Sequence, residues 1–341
     1  KMTPPTPQPL IRKITYTIQA VRFLLLAEVP LTELLHDRRL LVVGDAMLDQ
    51  YWFGDANRIS PEAPVPVVRI TRREERLGGA ANVARNIAAM GAGVSLLTVL
   101  GDDESGKHLE ALLHHSSIRP LLHFDPKLET TVKLRIVARQ QQMLRADFES
   151  MPQEEVLLAH LDTFRREIAS HDAVILSDYG KGGLSHIKKM IQIARDAGKT
   201  ILIDPKGSDY DRYKGASIIT PNRAELAEVT GHWKSEEDLT EKAQNLREHL
   251  ELQALLLTRS EEGMTLYTSE GKFSVPAEAR EVYDVSGAGD TVIAVLATMI
   301  SAGIPIKKCV EIANRAGGIV VGKLGTATVS FEELFPSGVI E

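Results

Sequence analysis

Short apolar segments recur along the chain, and each of them ends at polar residues. The first covers residues 39–43 and breaks at Gly44 and Asp45. Continuous apolar segments of this length are typical of strands covered on both faces, as in a parallel sheet. The others cover residues 94–100, 173–176, 200–203, 217–219 and 254–257, and they end at polar residues 102–103, 177–178, 204, 220–222 and 258–259.

Helical patterns lie between these segments. Residues 79–90 form one, with Val83, Ile87 and Met90 on one face, and residues 185–197 form another. The alternation predicts a doubly wound α/β fold, with a mostly parallel central sheet flanked by helices. Ligands of such sheets bind beyond the carboxyl ends of the strands, where the polar residues recur. Asp and Asn are also good turn residues, which is the simpler interpretation of any one of them.

Two segments do not fit the alternation. Residues 50–76 contain several prolines, and residues 130–148 have the pattern of a hairpin with a turn at residues 140–142. Alternating residues on edge-like strands predict a small β-sheet outside the main one. Both segments arise at strand ends on the predicted ligand side. We therefore expect a lid near 50–76 and 130–148; a dimer contact is the alternative, and the two are compatible.

Charge and composition argue against several classes of function. The formal net charge of the 341 residues is −6, so a basic field that draws a protein to nucleic acid or anionic lipid is not expected. No segment reaches the roughly 18 apolar residues of a membrane span. The one cysteine, Cys309, allows no intrachain disulfide and fits a reducing compartment. We expect a cytoplasmic protein in which Cys309 is a buried structural thiol.

A glycine-rich turn at residues 284–291 precedes an apolar stretch, which reads as a buried helix. The first turn of a helix offers free N–H groups and a positive dipole end, and small residues let an anion approach them. Gly287, Ala288 and Gly289 therefore form a candidate anion site for a transferring phosphoryl group. Asp290, in the same turn, is then a candidate base for an acceptor hydroxyl. An acidic residue there can also simply stabilise the helix dipole.

Two stretches resemble the signatures of the ribokinase-like (PfkB-type) carbohydrate kinases. Residues 287–291 are similar to the C-terminal signature of that family, and residues 78–84 are similar to its N-terminal, substrate-binding signature. They lie about 200 residues apart and in the order of the family. The resemblance implies an ATP-using, Mg²⁺-dependent sugar kinase with Asp290 as catalytic base.

The resemblance also implies a nucleotide-side group. Residues 222–225 match the Asn-x-x-Glu element of the family, in which the Glu helps to organise Mg²⁺ and the phosphates, so Glu225 is the metal candidate. Without the resemblance, Glu225 is an ordinary first-turn residue after a good N-cap. Arg259 is a candidate for the ATP phosphates or for a surface carboxylate. The nucleotide-binding candidates are Asn222, Arg223, Ala224, Glu225, Thr258, Arg259 and Gly263.

Further stretches resemble a narrower group, the bacterial kinases that phosphorylate D-glycero-D-manno-heptose 7-phosphate at its anomeric hydroxyl. They are residues 44–49, 58–67, 177–179, 204–207 and 322–326, and the resemblance covers about 38–335. It implies synthesis of the 1,7-bisphosphate on the way to ADP-heptose and lipopolysaccharide core. The substrate-binding candidates are Asp45, Asp49, Gly78, Gly79, Asn82, Asn86, Arg139, Asp178, Lys181 and Lys206.

The phosphate of such an acceptor needs cations. Lys206, directly after a strand end, is the first candidate, followed by Lys181 and Arg139, although a single basic residue is more often a solvated surface charge. Other functions remain open: a kinase of another phosphosugar or a nucleoside, or a catalytically silent sugar-phosphate sensor. A homodimer is expected from the family.

The sequence divides into three parts. We expect an N-terminal extension of unknown role at residues 1–36, a kinase domain at 37–335 and a tail at 336–341. Some relatives carry a nucleotidyltransferase domain after the kinase, and we expect here the separate, single-function form.

Overall fold

The computed structural model describes residues 30–139, 141–278 and 281–338. Most of the predicted N-terminal extension, residue 140 of the predicted hairpin turn and the last residues of the tail lie outside this part. The helices are α1 (Leu31–His36), α2 (Ala80–Ala89), α3 (Glu104–His114), α4 (Glu154–Glu167), α5 (Ile187–Asp196), α6 (Arg223–Thr230), α7 (Glu236–His249), α8 (Ala288–Ser301), α9 (Ile306–Val320) and α10 (Phe331–Leu334).

The strands confirm the predicted alternation. They are β1 (Arg39–Gly44), β2 (Ala46–Ile59), β3 (Pro66–Gly79), β4 (Gly93–Gly101), β5 (Ile118–Asp125), β6 (Val132–Ala138), β7 (Gln141–Phe148), β8 (Ala173–Ser177), β9 (Thr200–Asp204), β10 (Ile218–Ile219), β11 (Ala254–Thr258), β12 (Met264–Thr268) and β13 (Gly271–Val275).

Within the described residues, nine strands form the central sheet, in the order β13-β12-β11-β10-β9-β8-β1-β4-β5. The strands from β11 to β5 pair in parallel, and β12 and β13 continue antiparallel at one edge. The carboxyl ends of the parallel strands therefore lie along one edge of the sheet. This edge brings Asp45, Asp178, Asp204 and Asn222 into one region, as the strand-end pattern predicted.

Both faces of the central sheet are covered. On β1, Leu40 and Val42 belong to one hydrophobic core, whereas Leu41 and Val43 belong to the other. The first core includes α2, α8 and α9, and the second includes α4, α5 and α7. This two-sided burial explains why the strands are apolar without alternation. It also buries Cys309, whose thiol donates to the carbonyl of Ile304 at 3.2 Å.

Helix α8 lies in the first core and is buried from Asp290 to Met299. Its apolar side chains cover all sides of the helix, as the sequence predicted, because α8 packs against both α2 and α9. Each fully buried Val, Leu or Ile contributes about 1.5–3 kcal/mol relative to exposure. The start of α8 is therefore held firmly in place beside the strand ends.

The two segments outside the alternation join into one small sheet, here called the lid sheet, in the order β3-β2-β6-β7. Strand β2 pairs antiparallel with β3 and parallel with β6, and β6 pairs antiparallel with β7. The hairpin differs from the prediction in one detail, since Gln141 and Gln142 belong to β7 and not to the turn. No described helix is long and apolar enough to cross a membrane.

Candidate active site

Asp290 lies in the first turn of α8, with 3% of its surface exposed. The helix is preceded by Gly287, whose φ of 77° lies in the left-handed region that favours glycine. A Cβ at Gly287 would lie 2.7 Å from Nδ2 of Asn82, so a larger residue would disturb the neighbour of Asp290. The glycine thus allows both the tight entry into α8 and the close approach of α2.

Both carboxylate oxygens of Asp290 accept hydrogen bonds. Nδ2 of Asn82 donates to Oδ2 at 2.8 Å, and the hydroxyl of Tyr179 donates to Oδ1. Burial raises the pKa of Asp290 above its ordinary value, while these two hydrogen bonds lower it. A buried carboxylate with a raised pKa at the first turn of a helix has the character of a general base.

Some backbone amides of this turn already have acceptors within the protein. The amide of Ala288 donates to the carbonyl of Val285 at 3.2 Å, and the amide of Thr291 donates to that of Gly287 at 3.0 Å. The amides of Gly287, Gly289 and Asp290 have no acceptor among the described residues and remain as donors. A Cβ at Gly289 would meet no described atom within 4 Å, so there is room for an anion at this position.

Asp45, which the sequence predicts to bind substrate, holds a loop in the structure. Its carboxylate accepts from the amides of Tyr179 at 3.1 Å, Lys181 at 3.0 Å and Gly183 at 2.9 Å. Burial raises the pKa of Asp45, and these amides lower it. Asp178 acts similarly, accepting from the amide of Gly180 at 2.9 Å and from the hydroxyl of Tyr213 at 2.8 Å. Asp45 and Asp178 therefore position the loop that carries Tyr179.

Asp49 lies on β2 and not at the end of β1. It is buried and accepts from Nη1 of Arg135 on β6 at 2.6 Å. A Cβ at Gly78 would lie 2.5 Å from Oδ2 of Asp49, and one at Gly79 would lie 2.4 Å from the carbonyl of Asp45. The two glycines therefore allow the end of β3 to pass close to Asp49 and Asp45. Their predicted role in substrate binding stays a prediction.

Asn82 and Asn86 share one face of α2, and this face meets α8. Asn82 contacts Asp290, whereas Oδ1 of Asn86 accepts from the hydroxyl of Thr291 at 3.2 Å. Nδ2 of Asn86 donates to the carbonyl of Asn82 at 3.0 Å, so its own contacts are within the protein. Asp290, Asn82, Tyr179, Asp49 and Asp45 are called the Asp290 group below.

Asn222 and Glu225 form the centre of a second set of residues. Oδ1 of Asn222 accepts from the amide of Glu225, and Oε2 of Glu225 accepts from the amide of Asn222, both at 3.0 Å. This capping box begins α6. Oε1 of Glu225 lies 3.2 Å from Nζ of Lys206. Asn222, Glu225 and Lys206 are called the Glu225 group.

The remaining nucleotide-side candidates surround this group. The Arg259 guanidinium donates to both carboxylate oxygens of Glu236, at 2.9 and 2.6 Å, and also contacts Glu262. Arg259 is thus paired with carboxylates in this structure, and its predicted contact with the ATP phosphates stays a prediction. Arg223 also contacts Glu262. The hydroxyl of Thr258 lies 3.5 Å from the carbonyl of Pro221, Ala224 is exposed, and Gly263 turns the chain at a φ of 87°.

The three basic residues predicted for a substrate phosphate all have partners. Lys206 pairs with Glu225, which places it in the Glu225 group. Lys181 pairs with Glu149. Arg139, with a φ of 51°, lies after β6 and donates to Oδ1 of Asn57 at 2.9 Å. Each of the three therefore has a partner within the protein.

Three residues of the site were not among the candidates predicted from the sequence: Tyr179, Arg135 and Asp204. Both of the first two could have been found from the sequence. Tyr179 follows Ser177 and Asp178 at a strand end, and Arg135 lies two residues after Lys133, on the same face of β6. Asp204 lies at the end of β9; burial raises its pKa well above the ordinary value, and the charges of Asp290 and Glu225 add to this. Asp204 therefore lies within electrostatic range of both the Asp290 group and the Glu225 group.

A metal would need ligands from outside the protein as well. In the described part of the chain, no cluster of three or more His, Cys, Asp or Glu residues could hold a metal ion. Mg²⁺ in phosphate-transferring sites is held by one or two carboxylates together with substrate phosphates and water. The single carboxylate of Glu225, beside the cation Lys206, fits such an outer position.

The comparisons with solved structures concern the fold. Phosphofructokinase-2 from Escherichia coli in complex with substrates and products is similar with a TM-score of 0.75 and 18% identity, over 88% of this chain and 98% of that one. Ribokinase from Arabidopsis thaliana is similar with a TM-score of 0.69 and 18% identity, over 89% and 99% of the two chains. At this identity they show a ribokinase-like fold, which confirms the predicted fold class.

Sequence relatives are much more similar. The D-beta-D-heptose 7-phosphate kinase of Bordetella bronchiseptica is 54% identical over 296 residues, which is 87% of this chain and 95% of that protein. The bifunctional protein HldE of Pasteurella multocida is 53% identical over 300 residues, but these make up only 62% of its length. The family model described as pfkB family carbohydrate kinase matches residues 37–333. The chain therefore belongs to the pfkB family of carbohydrate kinases.

Proposed function

We propose that the chain transfers the γ-phosphoryl group of ATP to the anomeric hydroxyl of D-glycero-D-manno-heptose 7-phosphate. The product is the 1,7-bisphosphate, an intermediate of ADP-heptose and lipopolysaccharide core synthesis. The reaction type rests on one observation, a buried Asp290 beside the free amides at the start of α8. The choice of sugar rests on the 54% identity to a relative named as a heptose 7-phosphate kinase.

In the proposed mechanism, Asp290 accepts the proton of the anomeric hydroxyl. The oxygen of that hydroxyl bonds to the γ-phosphorus, and ADP leaves. Asn82 orients the carboxylate by holding Oδ2. Tyr179 donates to Oδ1, so its hydroxyl occupies the position that the acceptor hydroxyl needs. We therefore propose that Tyr179 turns aside, or shares Oδ1, when the sugar binds. The amides of Gly289 and Asp290 stabilise charge on the transferring group.

ATP and Mg²⁺ are proposed to bind beside the Glu225 group. When bound, Mg²⁺ would neutralise charge on the ATP phosphates. Glu225 is the carboxylate available to a hydrated ion, and Lys206 lies close enough to meet a phosphate oxygen once it leaves Glu225. The proposed orientation puts the sugar at Asp290 and the nucleotide towards α6. Asp204 then lies between the two ligands.

The lid sheet is proposed to cover the sugar and to exclude water, which limits hydrolysis of ATP. Asp49 and Arg135 contribute from it to the site. We also propose a homodimer in the cytoplasm, where ATP is available. Exposed apolar side chains on or beside the lid sheet support the dimer: Ile59, Val65, Met143, Leu144 and Phe148. We further propose that the kinase domain covers residues 37–335, between an N-terminal extension and a C-terminal tail.

Phosphorus NMR of the purified protein with Mg-ATP tests this function. The acceptors are D-glycero-D-manno-heptose 7-phosphate, mannose 6-phosphate, fructose 6-phosphate and adenosine, each in a separate sample. We expect a new anomeric phosphate signal with the heptose alone. Transfer to another acceptor but not to the heptose would contradict the proposed substrate but would still support a kinase activity. Binding of ligands with no transfer to any of them would indicate a sensor.

A further inference from the structure

Lys133 is a further cation of the site, with no role in the mechanism proposed above. It lies on β6 of the lid sheet, and the parallel register of β2 and β6 places it directly beside Asp49. Its side chain is partly buried. Its Nζ lies 5.2 Å from the centre of the Tyr179 ring. Lys133 therefore borders the same space as Asp290 without touching the carboxylate.

Among the described residues, the Lys133 ammonium has no hydrogen-bond or ion-pair partner. Two carboxylates lie beside Lys133, and each is already bound by an arginine: Asp49 by Arg135 at 2.6 Å, and Asp147, opposite Lys133 on β7, by Arg145 at 2.9 Å. Burial lowers the pKa of Lys133, and Arg135 lowers it further, while Asp49 opposes this shift. A desolvated cation beside a second cation is unfavourable unless an anion joins it. The surroundings of Lys133 thus lack one negative charge.

Other cations of the region differ from Lys133 in this respect. Lys206 and Lys181 each pair with a glutamate, and Arg139 donates to Asn57. Arg85 on α2 also lacks a carboxylate, but it donates to the carbonyl of Thr326 at 2.7 Å and lies 3.3 Å from Oδ1 of Asn82. Of these five cations, Lys133 alone makes no hydrogen bond or ion pair to the described residues.

Tyr179 contacts both Lys133 and the proposed base, Asp290. Its hydroxyl donates to Asp290, and its ring lies below the Lys133 ammonium. A ligand that places a hydroxyl at Asp290 and extends across Tyr179 would reach Lys133 with its far end. The transferring group instead lies at the amides of Gly289 and Asp290. A bound sugar phosphate would thus have its own anionic group at Lys133, apart from the transferring group at these amides.

We propose that Lys133 binds the phosphate group that the acceptor sugar already carries, so that this residue selects phosphorylated sugars. This inference rests on the proposed kinase function and deepens it. The ligand class is a sugar phosphate monoester whose reacting hydroxyl lies at the opposite end of the sugar. The role replaces the one that the sequence suggested for Lys206, because Lys206 belongs to the Glu225 group.

The test compares Lys133→Met with the wild-type protein on two acceptors, the heptose 7-phosphate and the same heptose without its phosphate. Loss of a charge-assisted contact should raise KM for the phosphorylated acceptor about 10- to 100-fold. KM for ATP and turnover of the unphosphorylated heptose should stay unchanged. Lys133→Arg should restore part of the affinity. Lys272→Met, which removes an exposed lysine on β13, is the matched control and should behave like wild type.

Two results would overturn the inference: an equal loss with both acceptors, or an increase in KM for ATP alone. Calorimetric titration of the sugar phosphate without ATP separates this failure from that of the proposed function. If wild type does not phosphorylate the heptose, the proposed substrate is wrong. The inference still holds if another sugar phosphate, such as mannose 6-phosphate, binds wild type more tightly than Lys133→Met. It is overturned if no sugar phosphate binds better than its unphosphorylated form.

Discussion

The Asp290 group and the Glu225 group face the same strand edge but are built in different ways. In the first, Asn82 and Asp290 bond across 208 positions of the sequence, and the carboxylate is buried. In the second, Asn222 and Glu225 bond across three positions in one exposed helical turn. The first is fixed by tertiary packing, and the second by local capping. Substitutions should therefore reduce the chemical step in the Asp290 group and nucleotide binding or helix stability in the Glu225 group.

Replacement of the base should give the largest effect. Asp290→Asn keeps the shape of the side chain but removes the proton acceptor, so kcat should fall about 10²- to 10⁴-fold. KM for ATP should stay close to wild type, because the Glu225 group is intact. Steady-state kinetics with varied ATP and acceptor measure both. Turnover near wild type would show that Asp290 is not the base. It would also contradict the proposed division between chemistry in the Asp290 group and nucleotide binding in the Glu225 group.

The pH profile should give the next largest effect. Asp290 must be ionised to act, and burial raises its pKa, so kcat/KM should fall on acidification at a higher pH than for an ordinary aspartate. Tyr179→Phe removes a hydrogen bond that lowers this pKa, so the acid limb should move to higher pH. The profile is measured for both proteins at saturating ATP. Identical acid limbs would show that Tyr179 does not act on the base.

A smaller effect is expected in the Glu225 group. Glu225→Gln preserves the capping box, since Gln also serves there, but removes the negative charge. The apparent affinity for Mg²⁺ in the presence of ATP should fall about tenfold, as for other outer-shell partners of a metal. Glu228→Gln, one turn further along α6 and exposed, is the control. Equal behaviour of the two variants would contradict a role of Glu225 in nucleotide binding.

Removal of the cap itself should give the smallest effect. Asn222→Ala loses the side chain that accepts from the amide of Glu225, which should reduce the free energy of unfolding by about 1 kcal/mol. Denaturant titration measures this value, and Asn222→Asp, which retains a capping oxygen, should lose less. Destabilisation far above this range would show that the Glu225 group also depends on tertiary packing.

The fold was predictable because its signals are local. Apolar strands ending at Asp45, Asp178 and Asp204, with helices between them, already define the parallel sheet and its ligand edge. The two lid segments were predictable for the same reason. That they pair with each other, β2 beside β6, depends on contacts between distant parts of the chain, which strand patterns do not contain.

The site was predictable only in part. Glycine-rich turns mark Asp290 and Gly78 because close approach requires small residues at particular positions. The roles of charged residues depend on their spatial partners instead. Lys206 follows a strand end, but the sequence does not show that Glu225 lies beside it. Asp45 has the position of a substrate ligand, but three backbone amides of a distant loop already occupy its carboxylate.

The bond between Asn82 and Asp290 also sets an order of assembly during synthesis on the ribosome. Strands β1 to β9 and the lid sheet leave the ribosome before residue 290 does, so a nascent chain holds Asp45, Asn82 and Tyr179 well before it holds the base. Such a chain lacks the carboxylate that we propose activates the acceptor hydroxyl. Under the proposed mechanism, phosphotransfer therefore begins only when α8 docks against α2.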